Sequence, residues 1–510
     1  MTMTHPGLPA AWATAVTILV TLLLFWALIM PAPGLRRRPV LNLAGLPLVG
    51  GALRRLTTTP WLLFVLKLGF AALFLLVIAA GLFGSPIPER NLATVLTWTL
   101  WWSGLIISIF FVGTAWCAVC PWDTLAQWLV RRRLWGRAEP NNSLNLRLPR
   151  ALQNVWPALL MFIGLTWLEL GVGITADPYV TALVALLMVV LATVSLAIFR
   201  RKTFCRNICP VGRTIGFYSQ LAAVELRPVD QDICASCKTL DCYHGTAKVE
   251  PCPTSLVMGR LTQNSYCTSC GNCTQSCPHQ NVSWRLRPPS AEAVYGARPH
   301  WDEAWFMITL LALTSVHGLT MLPAWETWMS RVGRMIGDSG QLLWTFTLGL
   351  VSCELAVVLV YAMAVVLARF WLPIERSFRQ LFSTFAFVAL PLAFAYHIAH
   401  NLNHLIRESG SMGKVFRNPL GIDTLPMSMS EMHARQLDMI ISPQVLAAIQ
   451  AGLLLAGFAI AIQVVRSRGF PLLTASGAGS GWRLFPLLVF AAGMTLFNLW
   501  LLTQPMTMRM

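Results

Sequence analysis

The sequence predicts an all-α integral membrane protein with about ten transmembrane helices and one small domain outside the membrane. Of its 510 residues, 56% are hydrophobic and only 12% are charged, and the mean hydropathy is +0.61. Ordinary soluble domains carry about twice that share of charged residues. The apolar residues also fall in blocks of about 20, the length that crosses a hydrocarbon core as a helix. A soluble enzyme and a disordered chain are therefore both excluded.

The apolar blocks place the transmembrane helices. Ten stretches have spanning length: 9–30, 60–83, 93–116, 152–174, 180–199, 303–325, 342–366, 381–402, 442–465 and 484–503. Short loops on one side carry about twice as many Lys and Arg residues as those on the other side, so the positive-inside rule puts both termini outside. The net charge of +17 is thus attributed to cytoplasmic loops and not to nucleic-acid binding. We expect a retained first helix, because no basic leader or small-residue cleavage site surrounds it.

One long polar stretch divides the chain into three parts. Residues 1–199 are predicted to hold the first membrane helices, residues 200–302 the cytoplasmic domain, and residues 303–510 the remaining helices with an outer loop. Twelve of the 13 cysteines lie in the first two parts, between Cys117 and Cys277. A disulfide framework suits small secreted domains, whereas these cysteines lie in the most basic loops. The clustering therefore indicates a cofactor in a reducing compartment.

Eight cysteines in the polar stretch form two groups. They are Cys234-x2-Cys237-x4-Cys242-x9-Cys252-Pro253 and Cys267-x2-Cys270-x2-Cys273-x3-Cys277-Pro278. The second spacing is that of a bacterial ferredoxin, in which three thiolates of one loop and a remote thiolate hold an iron–sulfur cube. We predict an α+β ferredoxin-like domain with two [4Fe–4S] clusters, one on Cys252, Cys267, Cys270 and Cys273 and the other on Cys234, Cys237, Cys242 and Cys277. His244 is an alternative ligand to Cys242, and structural zinc is the alternative to both clusters.

Two further cysteine motifs stand where predicted helices reach the inner membrane face. They are Cys117-x2-Cys120-Pro121 and Cys205-x3-Cys209-Pro210, and each follows a pair of helices, as an internal repeat would. Such spacing puts both sulfurs on one face of a helical turn, and the topology brings both motifs to the same face. The four thiolates are predicted to form an inner-face redox site, which holds a third cluster or a soft metal, or works as two thiol–disulfide pairs. The alternative is that these cysteines only pack.

With these motifs the chain resembles the membrane ferredoxin-like group that includes NapH, NosR and CcoG. Members of that group join Cys-x3-Cys-Pro motifs at helix ends to a cytoplasmic pair of 4Fe–4S sites. The resemblance covers residues 93–290, about 40% of the chain, and the Cys117 motif is one residue shorter than the family motif. It implies electron transfer at the bacterial inner membrane. NapH and NosR are associated with quinol-linked electron supply to periplasmic reductases, and CcoG with copper handling during oxidase assembly.

The C-terminal half carries intramembrane histidines, which are functional candidates because ionisable groups are costly in a bilayer. They are His317, His397, His400 and His404. The last three are predicted to share one stripe of a helix, suited to haem b or copper, although hydrogen bonding at a polar interface is as good an explanation. An outer loop adds Met412, Met427, Met429, Met432, His433 and Met439, which suit Cu(I) or simply pack. Glu169, Glu354 and Cys353 are further intramembrane candidates for proton uptake, quinone binding or helix contacts.

The sequence therefore predicts a membrane iron–sulfur electron-transfer protein, an oxidoreductase or electron-transfer subunit of quinol-dehydrogenase type. Electrons would pass between a cytoplasmic donor or the quinone pool and an outer, periplasmic acceptor. The expected protein partners are redox proteins, either a periplasmic reductase or a metalloenzyme under assembly. Quinone is a candidate small-molecule partner. The alternative is a copper reduction or handling protein, and a third class is a structural anchor for a reductase complex. No dinucleotide or P-loop motif identifies a soluble donor, and no catalytic residue can be assigned.

Overall fold

Eight helices in the described part of the chain are long and apolar enough to cross a membrane. The structure is a computed structural model that describes residues 4–31, 39–47, 49–134, 136–138, 141–372, 375–431, 434, 439–474 and 481–507. The eight helices are Ala10–Ile29, Pro60–Phe83, Leu92–Val112, Pro178–Ile198, Leu343–Trp371, Phe378–Glu408, Pro443–Leu473 and Gly481–Thr503. Their number and hydropathy are those of a multi-pass membrane protein.

The predicted count of ten spans is not confirmed, because two predicted segments are broken or short. The segment expected at 303–325 is the helix Trp301–Thr320, which bends by 92° into the helix Pro323–Ile336. Pro323 explains the bend, since a proline starts a helix readily and holds the residue before it in an extended conformation. The segment expected at 152–174 is the shorter helix Trp156–Val172, whose last turn is π-helical and stops at Gly173 with a φ of 79°.

The helix before the first cysteine motif also ends earlier than expected. The sequence predicts a span over 93–116, whereas the helix stops at Val112 because Gly113 takes a φ of 57°. A separate helical turn, Trp116–Val119, then carries the first cysteine. Because Gly113 takes a left-handed conformation, the helical turn with Cys117 is separate from the membrane helix, and its direction does not follow the axis of that helix.

The helix Phe378–Glu408 lies at the centre of the bundle. It packs against the helices Pro443–Leu473, Trp301–Thr320 and Leu92–Val112. Its fully buried aromatic side chains are Phe382, Phe385, Phe387 and Tyr396. The contact with the Pro443–Leu473 helix is close, because a Cβ at Gly457 would lie only 2.5 Å from the Cβ of Ala395. The histidine-bearing helix is thus the most enclosed of the spans, and its polar groups face protein and not lipid.

A three-stranded antiparallel sheet brackets the eight cysteines of the polar stretch. Val224–Pro228 pairs with Val282–Leu286, with Leu226 opposite Trp284, and Leu41–Asn42 pairs with the other edge of Val282–Leu286. The segment from Cys234 to Cys277 therefore leaves and rejoins one sheet. A small sheet with short helices agrees with the predicted α+β domain, whereas its ferredoxin-like identity is not confirmed by this topology alone.

A buried network of ions ties this sheet to the helical turn Glu292–Gly296. Arg227 pairs with Glu292 at 2.6 Å, and Glu225 pairs with Arg285 at 2.6 Å and with Arg287 at 3.1 Å. Glu292 Oε2 also accepts from the backbone N–H of Asn264 at 2.7 Å. Buried charges are tolerated only with such complete pairing. The network fixes the base from which the cysteine loops project.

Candidate redox site

The two Cys-Pro motifs fold into the same local structure. Each has a helical turn, an extended cysteine and a helix that starts at proline: Trp116–Val119, Cys120 and Pro121–Arg131 in the first motif, and Phe204–Ile208, Cys209 and Pro210–Tyr218 in the second. Proline suits a helix start because it has no N–H to satisfy. The second cysteine of each motif therefore stands at a helix N-terminus. In the second motif, Gly212 N donates a hydrogen bond to Cys209 Sγ at 3.2 Å.

The structure brings the four thiols of these motifs into one buried place, called here the membrane-face group. Burial raises the pKa of Cys117 well above its ordinary value, and Cys120, Cys205 and Cys209 raise it further. Burial is also the main cause that raises the pKa of Cys120, Cys205 and Cys209 to about 12 each. Thiols in such a place stay protonated unless a bound cation compensates the thiolate charge. The group is therefore suited to a metal cofactor.

A second group, called the middle group, contains Cys252, Cys267, Cys270 and Cys273. Burial raises the pKa of Cys273 well above its ordinary value, and the other three thiols of the group raise it further. Two sulfurs accept backbone hydrogen bonds: Leu256 N donates to Cys252 at 3.3 Å, and Ser269 N donates to Cys267 at 3.4 Å. Hydrogen bonds of this kind stabilise ligating thiolates and tune the potential of a bound cluster.

A third group, called the distal group, contains Cys234, Cys237, Cys242 and Cys277. Burial raises the pKa of Cys242, and Cys234, Cys237 and Cys277 raise it further, although a backbone hydrogen bond from Met258 opposes the shift. Asn281 holds two members together, since its backbone N donates to Cys277 Sγ and its Nδ2 to Cys234 Sγ, both at 3.4 Å.

The alternative distal ligand, His244, lies beside this group in sequence but makes a different contact. Its ring packs edge-on against Tyr243, with 5.0 Å between the ring centroids. The thiol of Cys242, by contrast, lies within electrostatic reach of the three other thiols of the distal group. The structure therefore favours Cys242 over His244 as the fourth member.

Charged side chains connect the membrane-face group to the middle group. Burial lowers the pKa of Lys202, but Asp123, Cys205 and Cys270 raise it, and the net shift is upward. One ammonium is therefore within electrostatic reach of a thiol from each group. Thr114 and Ser269 also share a hydrogen bond of 2.6 Å between their hydroxyls, which ties the loop before Cys117 to the middle group. The middle group in turn reaches the distal group, because Cys242 acts on the pKa of Cys273.

A polar cavity of about 780 Å³ opens beside Cys270. Lys67, which is only 9% exposed, lines it from the second turn of the helix Pro60–Phe83, together with Lys202 and Arg206. Within the described part of the chain the Lys67 ammonium has no ion pair or hydrogen bond. A buried cation without a partner is costly. The Lys67 ammonium therefore suits a site that becomes negatively charged when a cluster with four thiolates is bound.

Among the described residues, no three His, Cys, Asp or Glu side chains converge on one point as the ligands of one metal ion do. Structural zinc needs four ligands at roughly 2.0–2.3 Å from the ion. Structural zinc thus remains the alternative to the two clusters that the sequence predicts in the polar domain.

The intramembrane histidines form a row at the opposite end of the bundle. The ring of His400 contacts the ring of His317, with centroids 5.0 Å apart, and the ring of His404, with centroids 4.9 Å apart. A carboxylate lies at each end: Glu169 Oε1 is 3.7 Å from His317 Nδ1, and Glu408 Oε1 is 3.2 Å from His404 Nδ1. We call these five residues the histidine–carboxylate row.

His397 is not in ring contact with this row, although the sequence places it on the same stripe. Its Nδ1 bonds the hydroxyl of Tyr218 at 3.1 Å, and its ring lies 5.7 Å from that of Trp102. Haem b does not fit between His317 and His400, because their rings already touch edge to face and leave no space for a porphyrin. His317 and His400 therefore do not form a bis-histidine haem site.

An apolar cavity of about 370 Å³ lies between the membrane-face group and the histidine–carboxylate row. At one end it is lined by Trp116, Pro121, Trp122 and Pro210, which flank the cysteines in sequence. Trp101 Nε1, Trp122 Nε1 and Thr214 Oγ1 are buried there without a hydrogen-bond partner among the described residues. Unpaired buried donors in an apolar cavity are suited to a ligand with acceptor oxygens.

A second, smaller cavity of about 140 Å³ holds the histidine end. Its lining includes His317, His404 and Glu408. Three residues line both cavities and so form their common wall: Trp98, Trp102 and Glu169. Of the described residues that line the apolar cavity, Glu169 alone is ionisable. Its carboxyl group therefore stands between an apolar compartment and a polar one.

The other predicted candidates do not join these sites. Glu354 and Cys353, on the helix Leu343–Trp371, line neither of the two cavities. In the outer loop, Met427 is buried and its N donates to Glu89 at 3.2 Å, whereas Met429 is half exposed. Met432 and His433 lie outside the described residues. A copper site in this loop thus remains a prediction from the sequence.

Sequence reasoning missed several residues that shape the site. Lys67 could have been found, because it is the one charged residue in the predicted span 60–83. Asp123 had a weaker signal, as an acid three residues after Cys120. No sequence signal marked Tyr218 or Trp102, because their roles depend on how helices that are far apart in the sequence pack together.

Comparison with known proteins supports an iron–sulfur function. A family model described as a 4Fe-4S binding domain matches residues 94–138 and 181–222, which are the two repeat units with the Cys-Pro motifs. YccM of Escherichia coli (strain K12), which is named as an electron transport protein, is 28% identical over 120 residues. That alignment covers 23% of this chain and 30% of YccM. No solved structure gave a significant match.

These findings agree with the cysteine geometry. The family match supports an iron–sulfur cofactor, and the similarity to YccM supports electron transfer as the function of that cofactor. This chain is thus similar to membrane iron–sulfur electron carriers. The match falls on the segments with the membrane-face cysteines and not on the eight cysteines of the polar domain.

Proposed function

We propose that this chain is a membrane electron-transfer protein with three [4Fe–4S] clusters, which takes electrons from a hydroquinone in the apolar cavity. The observation that carries the proposal is the succession of the membrane-face, middle and distal groups beside that cavity. The membrane-face end of the cavity is built from Trp116, Pro121 and Pro210, which adjoin the first thiols. A lipid-soluble carrier bound there is next to the first member of an electron chain.

The ligands follow from the three groups. Cys117, Cys120, Cys205 and Cys209 would hold the first cluster, the middle group the second and the distal group the third. When bound, such clusters supply one-electron carriers. The chain contributes the burial of the thiols, the hydrogen bonds to their sulfurs, and the nearby Lys67 and Lys202 charges. Each of these raises or lowers the potential at which a cluster accepts an electron.

A quinone suits the apolar cavity in size and polarity. The volume of about 370 Å³ lies within the roughly 300–1,000 Å³ of small-molecule pockets. Trp101 and Trp122 line the cavity, and their N–H groups are buried without a partner among the described residues. A rotation of these rings toward the cavity would let them donate to the ring oxygens, because an indole N–H can only donate. The remaining lining is apolar and accommodates an isoprenoid tail. The charge asymmetry of the loops supports a bacterial inner membrane, with the cysteine domain on the cytoplasmic side.

The partner on the cysteine side would be a redox protein that docks at the distal group. Cys237 is partly exposed, and hydrogen bonds from the Leu240 backbone N–H and the Thr239 side chain lower its pKa. An outer acceptor and a periplasmic reductase, which the family resemblance implies, remain proposals for a chain that spans about 30% of the length of its curated relative. No observation in the described residues favours the copper function over this one.

The test is anaerobic purification followed by iron, acid-labile sulfide, copper and haem analysis. Three clusters predict about twelve iron atoms per chain and two predict about eight. Adding a short-chain hydroquinone should reduce the clusters in the wild-type protein. Replacing any one of Cys117, Cys120, Cys205 and Cys209 by Ser should stop this reduction, while dithionite still reduces the remaining clusters. The matched control is Cys353→Ser, because the thirteenth cysteine lies outside the three groups.

The outcomes separate the alternatives. Zinc in place of iron would contradict the proposal and leave the domain structural. Normal reduction by hydroquinone in all four membrane-face variants would make these residues packing cysteines. If only the Cys205 and Cys209 variants failed, the site would belong to one motif. Stoichiometric copper would favour the metal-handling alternative.

A further inference from the structure

The common wall of the two cavities points to a route for protons. A hydroquinone in the apolar cavity must lose two protons as well as two electrons. Near the membrane-face group the cavity is lined by Trp101 and Trp122, whose indole groups cannot accept a proton. Glu169 is the one ionisable residue among the described residues that line this cavity. A proton that leaves the hydroquinone therefore has Glu169 as its acceptor.

Beyond Glu169 the polar groups are continuous. His317 Nδ1 is 3.7 Å from Glu169 Oε1, slightly beyond hydrogen-bond distance. The cavity of about 140 Å³ at this point is large enough to hold ordered water. His400 contacts both His317 and His404, and its Nε2 is buried without a hydrogen-bond partner among the described residues.

The row ends at a carboxylate that is already tied to its surroundings. Glu408 Oε1 faces His404 Nδ1 at 3.2 Å, and Glu408 Oε2 accepts from the Thr99 hydroxyl at 2.7 Å. The side chain of Glu408 is 18% exposed, and it lines the smaller cavity together with Glu89. Glu169, His317 and His404 line this same cavity, so the row runs along its wall and ends at Glu408.

This cavity lies on the side opposite the cysteines. Its lining includes Pro88 and Glu89 from the loop that precedes the helix Leu92–Val112, and Thr175 from the loop that precedes Pro178–Ile198. The Cys-Pro motifs follow the other ends of these same two helices. Electrons and protons from one hydroquinone thus have acceptors at opposite ends of the bundle.

We propose that the histidine–carboxylate row carries the protons of hydroquinone oxidation to the side opposite the cysteines. This inference rests on the proposed function, and it gives the intramembrane histidines a role other than metal binding. In the reaction both O–H bonds of the hydroquinone break and a quinone forms. The two electrons pass to the iron–sulfur sites and on to a one-electron protein acceptor at the distal group. The two protons pass to Glu169, along His317, His400 and His404, and leave at Glu408.

The experiment uses the anaerobically purified holoprotein in liposomes that contain a trapped pH dye. A membrane-impermeant acceptor, ferricyanide, is added outside, so that only molecules with the cysteine domain outward turn over. A short-chain hydroquinone starts the reaction, and the rate in protein-free liposomes is subtracted. The interior should become acidic, with about two protons for each two electrons. Protons released to the outside instead would overturn the proposal.

Two variants test the row at its two ends. Glu169→Gln should slow hydroquinone oxidation by at least about tenfold, because a positioned base is lost. Glu408→Gln should slow internal acidification in the same way, although Glu408 lies outside the apolar cavity and cannot contact the hydroquinone. In both variants dithionite should reduce the clusters fully and the iron content should be unchanged. The control is Glu354→Gln, an intramembrane carboxyl that lines neither cavity.

The results separate this proposal from the function on which it depends. If hydroquinone fails to reduce the wild-type clusters, the proposed function is wrong. If it reduces the wild type and both row variants at equal rates with equal acidification, the function stands and the proton route is wrong. Loss of a stoichiometric haem or copper on His400→Asn substitution would make the row a metal site and would also overturn the proposal.

Discussion

Lys202 and Asp123 form a buried ion pair, 2.5 Å between Nζ and Oδ2, that joins the two Cys-Pro motifs. Asp123 lies three residues after Cys120, and Lys202 lies three residues before Cys205. Their side chains are only 8% and 12% exposed. The two repeat units are thus held together by opposite charges at the point where their thiols meet. This relationship makes the pair a specific target for substitution.

Asp123→Asn should destabilise the membrane-face group. The substitution leaves the Lys202 ammonium buried without its counter-charge, and breaking a buried pair in this way costs about 3–5 kcal/mol. The thermal midpoint of the detergent-purified protein should fall, and iron should be lost from the membrane-face group first. Lys414→Met is the control, because the Lys414 side chain in the Lys414–Glu431 ion pair is 68% exposed. Exposed ion pairs contribute at most about 1 kcal/mol to stability. An unchanged midpoint for Asp123→Asn would contradict this account.

Single cysteine substitutions should remove clusters one at a time from the polar domain. Cys267→Ser is expected to remove the cluster of the middle group, and Cys277→Ser that of the distal group, because each group has only four thiols. The protein should remain in the membrane, since the ion network of Glu225 and Glu292 and the spans are untouched. Iron quantification and the low-temperature paramagnetic resonance spectrum measure the loss. Full iron retention in both variants would refute the ligand assignment.

Lys67→Met should shift the potential of the middle group to more negative values. The ammonium of Lys67 lies beside Cys270, and a nearby positive charge stabilises the reduced, more negative form of a cluster. Removal of one such charge is expected to lower the potential by on the order of tens of millivolts. Lys67→Arg keeps the charge and should change the potential much less. A redox titration that gives equal potentials for Lys67→Met and the wild type would exclude this role.

Local hydropathy predicts helices well where nothing interrupts them. The stretch predicted at 60–83 is the helix Pro60–Phe83, and the stretch predicted at 484–503 lies within Gly481–Thr503. The errors occur where one residue changes the backbone. Gly113 and Gly173 take positive φ values and end their helices, and Pro323 bends a predicted span. Each of these residues was visible in the sequence, but hydropathy averaged over a window does not detect a single residue.

The cysteine groups could be anticipated from spacing, whereas the cavities could not. Spacing places thiols along one chain, and the Cys-Pro repeats lie at corresponding ends of two helices, so their meeting follows from topology. The separation of His397 from His400 depends on Tyr218 and Trp102, which come from distant helices. The wall at Glu169 likewise depends on how several helices pack. No local pattern in the sequence carries that information.

Glu225→Gln should remove a pH-dependent part of the stability of the polar domain. Burial alone would raise the pKa of Glu225, but Arg227, Arg287 and Arg285 outweigh it and hold the pKa below its ordinary value. A carboxyl with a lowered pKa in the folded state stabilises the fold above its unfolded pKa. That stabilisation is lost as the pH falls through the folded pKa. Acid should therefore destabilise the wild type more steeply than the variant.

At neutral pH the same variant should be less stable, by about 1–3 kcal/mol, because Arg285 loses its carboxylate partner and Arg227 and Arg287 share Glu292 alone. Release of iron as a function of pH measures both effects. Glu431→Gln is a suitable control, since Glu431 is on the other side of the bundle and pairs with Arg90 at 2.9 Å. Parallel pH profiles for Glu225→Gln and the wild type would show that Glu225 does not control acid stability.

Ala185→Phe should close the apolar cavity without disturbing the cysteine groups. Ala185 lines the cavity from the helix Pro178–Ile198, and a benzyl group placed there occupies space inside a volume of about 370 Å³. A bound ring would then be excluded, so reduction of the clusters by a short-chain hydroquinone should slow by at least about tenfold. Dithionite needs no such cavity and should reduce the clusters as before. The readout is the rate of cluster bleaching with each reductant.

Leu183→Phe is the matched control for this prediction. Leu183 lies on the same helix but is 42% exposed on the outside of the bundle, so the same side chain there meets lipid and not the cavity. Both variants carry the same benzyl side chain on one helix, and the ring faces the cavity at position 185 and lipid at position 183. A slow rate in both would indicate a general effect on the helix. A normal rate in Ala185→Phe, with clusters intact, would mean that hydroquinone reacts elsewhere, and the proton route through Glu169 would lose its starting point.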